Sequence, residues 1–249
     1  MKRILLLFGL FCLGSTTVSA QFAGTPQAQK FSLPGQINTS QYNATRLSNL
    51  IFERFLDQKE KKNPINFEDI KGSPYSPAEF VSGDFYLYDE APVTLRMRYN
   101  MYDDEVEVLE NDGRITSFLK VDNTAFKIDG VTLRPYRIIE KGTQKRVNMI
   151  VLNDGDTKLL LRRNAVLIPA EKATNPNQMD RAAKFVANET YYLVKDNELP
   201  MEFTGKKKDL FTLFPEKASE LKDYIKTNKL SLKNNGDLVQ IFDFLNDNT

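Results

Sequence analysis

Arg96, Arg98, Tyr99, Tyr102, Asp103 and Asp104 lie within nine consecutive positions, and Glu105 and Glu107 follow directly. Two carboxylates held about 5 to 10 Å apart can hydrolyse a glycoside, and clustered acidic oxygens can ligate calcium. Arg and Tyr beside them are residue types enriched at protein interfaces. A solvated charged hairpin uses the same residues, with Glu105 and Glu107 pointing outward, and that is the plain alternative for each of them. Trp, the usual stacking platform for a sugar ring, is absent from the chain, so glycan hydrolysis ranks behind the other readings. No residue is assigned a catalytic role. The interaction candidates are Arg96, Arg98, Tyr99, Tyr102, Asp103 and Asp104.

Other chemistry is excluded by residue type. The chain has no His, which rules out Ser-His-Asp triads, Cys-His pairs and imidazole-ligated zinc, copper or iron. Its one Cys, Cys12, lies in the N-terminal apolar run, so the body has no thiol for redox work or iron–sulfur clusters. Ser219 and Lys222 fall at i, i+3 on a polar helix face, outside the small-residue setting of an acylating serine. Asn153-Asp154-Gly155-Asp156-Thr157 starts like a calcium loop, but the twelfth position is Asn164 and not a bidentate Glu, so a hairpin turn is expected. No glycine-rich phosphate cradle occurs, and no metal or other cofactor is expected.

The acidic and basic residues need strands to position them. Val93, Leu95, Met97, Tyr99 and Met101 alternate with Thr94, Arg96, Arg98 and Asn100, so one face seeks a core and the other water. Val106 and Val108 resume the alternation after an acidic turn. Further short runs are separated by Asn111-Asp112-Gly113, Asp129-Gly130, Lys141-Gly142 and Asn153-Asp154-Gly155, all hairpin signals. The spacing of about a dozen residues is that of an antiparallel meander. It predicts strands at 84–88, 92–100, 105–110, 114–120, 124–128, 131–140, 145–152, 157–163, 165–169, 183–187, 190–195 and 199–203. Val147 to Leu152 and Tyr191 to Val194 are apolar on both faces and must be covered on both. Residues 169–184 form a polar excursion between strands.

Helical periodicity appears at both ends. Leu47, Leu50, Ile51 and Phe55 predict a helix from Ser40 to Lys59. After Gly205 three short apolar stripes follow, with Pro215 at the first position of the second helix. About forty-five residues bury too little to fold alone, so these helices are expected to dock on the strands.

Lys2 and Arg3, the apolar run Ile4 to Leu13 and the small residues Val18-Ser19-Ala20 read as a secretory signal cleaved before Gln21. The mature chain then has 229 residues and 32 basic against 33 acidic side chains. That balance argues against nucleic acid as partner. No later stretch reaches the roughly twenty apolar residues of a membrane span, so a soluble periplasmic or outer-membrane-associated protein is expected. The expected organisation is signal peptide 1–20, N-terminal arm and helix 21–71, β body 72–203 and helical segment 204–249.

Gly72-Ser73-Pro74-Tyr75, Phe80 and Gly83, and Leu95-Arg96-Met97-Arg98-Tyr99-Asn100 with Tyr102 and Asp104-Glu105 form one motif region. A second comprises Lys208-Asp209-Leu210, Phe214-Pro215, Tyr224 to Leu230 and Asp237-Leu238. On these two regions the chain resembles an uncharacterised group of secreted proteins from Bacteroidota. The resemblance implies a cell-envelope location and carries no catalytic residues. The fold class expected is α+β: an antiparallel β-meander body, sandwich or barrel-like, with an N-terminal helix and three short C-terminal helices. The leading expectation is a non-enzymatic exported protein that binds another envelope protein or serves a structural role. The alternative is a barrel-type carrier of an apolar ligand such as a lipid, its cavity lined from the 17 Phe and 10 Tyr.

Overall fold

The computed structural model describes residues 56–57, 70–87, 91–175 and 177–247, with backbone alone at 56–57. Every described residue belongs to one compact unit within Asn43–Thr249.

The turns set the fold. Asp129-Gly130 and Lys141-Gly142 each have both residues at positive φ (49° and 75°, 50° and 77°), the geometry of the two-residue type I′ hairpin. They join β6 (Thr124–Ile128) to β7 (Val131–Glu140) and β7 to β8 (Thr143–Asp154). The remaining strands are β1 (Leu56–Asp57), β2 (Tyr75–Leu87), β3 (Val93–Asn100), β4 (Glu105–Leu109), β5 (Ile115–Phe118), β9 (Lys158–Ile168), β10 (Lys184–Val194) and β11 (Met201–Phe203). All are antiparallel in one eleven-stranded sheet, ordered β1-β5-β4-β3-β2-β6-β7-β8-β9-β10-β11. Two meanders, β2 to β5 and β6 to β11, thus meet where β2 pairs with β6.

The sheet is curled. Lys71, just before β2, exchanges hydrogen bonds with β10 and the residue preceding it: its N–H donates to the Ala183 carbonyl (3.1 Å) and its carbonyl accepts from the Phe185 N–H (2.8 Å). One core therefore draws side chains from nearly every strand, among them Phe85, Met97, Val108, Phe118, Phe126, Leu133, Ile150 and Leu161. Phe85, Phe118 and Phe126 pack with ring centroids 4.5 to 5.5 Å apart. Fully burying one such ring is worth about 1.5–3 kcal/mol. Gly83 allows the close approach of β2 to β6: a Cβ there would sit 2.7 Å from the Lys127 carbonyl oxygen.

Three helices follow the sheet: α1 (Lys207–Leu213), α2 (Ala218–Thr227) after a 3₁₀ turn at Pro215–Lys217, and α3 (Asn235–Asp247). Leu210, Leu221, Ile225, Leu238, Ile241, Phe242 and Leu245 pack on Leu159, Leu193 and Phe203 of the sheet, the docking their apolar stripes require. On the opposite face Ile138, Val147, Met149, Leu160, Tyr192 and Val194 form another buried cluster. β8 and β10 are thereby buried on both faces, as their unbroken apolar runs demand.

Some boundaries differ from expectation. Residues 158–168 form one strand, not two, and so do 184–194, because Asn164 and Asn188 face each other in an unbroken eleven-residue register. β2 begins at Tyr75, well before 84, and its Pro77 sits in a bulge between Ser76 and Val81, where a missing N–H breaks no ladder bond. The expected helix over Ser40 to Lys59 falls mainly outside the described residues. Its described part, Leu56–Asp57, is a strand paired with Phe118 and Ser117 of β5. Among the described residues no helix is long and apolar enough to cross a membrane.

Candidate interaction surface

The β3–β4 hairpin places its six candidate residues in three settings. Arg96 is exposed on the outer face. Arg98 is not: its Cζ lies 3.4 Å from the Tyr75 ring centroid and 4.1 Å from that of Phe80. Its Nε and Nη2 donate to Glu107 Oε2 at 2.9 and 2.8 Å. Glu107, expected outward, is 1% exposed. The reason is the bulge in β2, which brings Tyr75 and Phe80 over the outer face of β3. Glu107 Oε1 accepts from Asn100 Nδ2 (2.8 Å), so both its oxygens are used.

Asn100, placed by alternation on the solvent face, is buried and builds the turn. Its Oδ1 accepts from the N–H groups of Tyr102 (3.0 Å) and Asp103 (3.1 Å), and its Nδ2 donates to Asp103 Oδ2 (3.0 Å). A short amide bonding the backbone two residues on is the Asx turn, a signal readable as Asn-x-x-Asp.

Tyr99 and Asp104 face inward. Asp104, at φ 57°, accepts from the Tyr99 hydroxyl (2.8 Å) and the Asn148 N–H (3.0 Å), and pairs with Lys120 Nζ (3.0 Å). Its carbonyl accepts from Asn148 Nδ2 (2.9 Å). The Tyr99 hydroxyl is also 3.1 Å from the Arg163 carbonyl, and the Met101 carbonyl accepts from the Ala165 N–H (3.0 Å). The turn is thus clasped to β8, to β9 and to the connection before β6. Burial raises the Asp104 carboxyl above its ordinary range, with Lys120, Tyr99 and Asn148 opposing. Burial likewise raises the Tyr99 phenol, so it stays protonated and donates.

Tyr102 and Asp103 remain outside. Tyr102 is 40% exposed and stands edge-on against Phe185, centroids 5.6 Å apart. Phe185 follows the connection between β9 and β10, the excursion expected from sequence. Glu171 and Arg181 close that loop by mutual backbone hydrogen bonds of 2.9 and 2.8 Å, and Met179 projects from it at 90% exposure. A cavity of about 340 Å³ opens between the loop's own residues.

Within the acidic cluster, Glu107 and Asp104 are committed to Arg98 and Lys120. No group of three or more Asp or Glu among the described residues is placed to hold a metal. The inner face, where a carrier would hold its ligand, is filled by the protein's own side chains. The outer face bears exposed ion pairs, among them Glu140 with Lys145 and Arg162, which hold the Glu140 carboxyl down at about 2.

No protein-family model, curated protein or solved structure matches the chain.

Proposed function

We propose that this is an exported, non-enzymatic protein of the cell envelope that works by contact, through the surface where the β3–β4 turn meets the β9–β10 loop. The carrying observation is Tyr102, a large aromatic left 40% exposed on a turn whose neighbours are all fixed. An aromatic held in place loses little conformational entropy on binding, which is why preorganised aromatic anchors dominate contact surfaces. The N-terminal charge and apolar pattern supports export. The packed inner face favours contact over carriage of an apolar ligand, and the near-neutral charge favours another envelope protein over nucleic acid as partner.

The test is co-purification from envelope extract with tagged wild type, Arg96→Glu and Tyr102→Ala. Both substitutions are at exposed positions and leave the clasp intact. Loss of a discrete recovered protein from the variants is the expected result. An unchanged set of recovered proteins, or none with wild type, overturns the proposal.

A further inference from the structure

Met179 is set apart from the other described methionines by its surroundings. Met97 and Met149 are fully buried, Met101 is 5% exposed and Met201 38%, against 90% for Met179. Its exposure is built, not a frayed end. The loop is cinched by the Glu171–Arg181 backbone pair and by their ion pair of 3.5 Å. Inside it the Ala173 N–H donates to Asp180 Oδ1 (2.7 Å), Thr174 Oγ1 to Gln178 Oε1 (2.9 Å), and the Gln178 N–H to the Asn175 carbonyl (3.1 Å). Residues on both sides of Met179 are thus tied down while its thioether faces water.

The rest of the composition matters here. With no His and no Trp in the chain and its one Cys at position 12, thioethers are the two-electron-oxidisable groups of the β body and helices. We propose that Met179 is an oxidation site, converted by hydroperoxides to methionine sulfoxide ahead of every other described methionine. A sulfur lone pair attacks the distal peroxide oxygen; the S–O bond forms as the O–O bond breaks. Sulfur loses two electrons, and the departing oxygen leaves as water or an alcohol after taking up a proton.

The product differs in kind from the reactant. A thioether is apolar and a poor acceptor, whereas a sulfoxide carries a strong acceptor oxygen. Lys172, Asn177, Gln178 and Arg181 line the cavity beside Met179 and carry N–H donors. Oxidation therefore replaces an apolar projection into water with a polar one, beside a cavity whose lining also includes the carboxylates of Glu171 and Asp180. Should contact run through this loop, which rests on the function proposed above, the same event weakens that contact.

Limiting hydrogen peroxide applied to the folded chain, followed by peptide mapping, tests the site without reference to any partner. The expected result is a gain of about 16 Da, one oxygen, at Met179 first, at Met201 later, and at Met97 and Met149 only after guanidinium unfolding. The two methionine sulfoxide reductases of opposite epimer specificity together reverse the first gain. Met179→Leu removes the fast phase and leaves the thermal midpoint unchanged, because the position is exposed. Oxidation of Met201 or a buried methionine as early as Met179 in the folded chain, or survival of the fast phase in Met179→Leu, overturns the assignment. Unchanged co-purification after verified oxidation would instead count against the contact surface alone.

Discussion

The Tyr99 hydroxyl donates to Asp104 Oδ1 across 2.8 Å, joining the third strand to the turn that follows it. Since burial raises the Asp104 carboxyl above its ordinary range, the folded chain holds a proton there at pH values where the unfolded chain has released it. In the window above the ordinary carboxylate value of about 4, stability attributable to Asp104 thus falls as pH rises. Asp104→Asn keeps an acceptor for Tyr99 and the Asn148 N–H, and Asn tolerates positive φ. Denaturant unfolding at several pH values between about 4 and 7 should show the Asp104→Asn variant gaining on wild type as pH rises. A difference independent of pH, or shrinking, would contradict it.

Arg98 and Arg96 are two residues apart with opposite roles. Arg98→Ala strips the partner from a 1%-exposed carboxylate, at an expected cost of about 3–5 kcal/mol. Arg96→Ala changes an exposed position and should stay within about 0.5 kcal/mol. Urea midpoints decide, and equal shifts would refute the assignment of Arg98 to structure.

Alternation in β3, the Asp-Gly and Lys-Gly turns and the C-terminal apolar stripes were legible because each is local. So was the need of β8 and β10 for cover on both faces. Glu107 was misread because its burial depends on Tyr75 and Phe80, brought over by the bulge in β2, two strands earlier in the chain. Asn148 and Lys120 were invisible as partners of Asp104, because only curling of the sheet brings three separate elements to one turn. Of the six candidates, the structure leaves Arg96, Tyr102 and Asp103 at the surface and commits Arg98, Tyr99 and Asp104 to holding the hairpin.

Helix α3 closes the β8–β9 turn through Asn246. Its Nδ2 donates to Asn153 Oδ1 (2.8 Å), and its Oδ1 accepts from the Thr157 N–H (2.9 Å). A Cβ on Gly155 would overlap the Asn246 amide. Gly155→Ala should destabilise by about 1–3 kcal/mol through overpacking. Combined with Asn246→Ala it should cost less than the sum of the two. Strict additivity in thermal or urea unfolding would show that the two residues do not touch.

The central claim is contact through the clasped β3–β4 turn. A photoreactive amino acid at position 102, compared with one at the similarly exposed Leu199 (44%) beyond the far end of β10, reads that contact directly in intact cells. The account predicts a discrete adduct of higher mass from position 102 and none from 199. Adducts of equal yield at both positions, or none at 102, would contradict it.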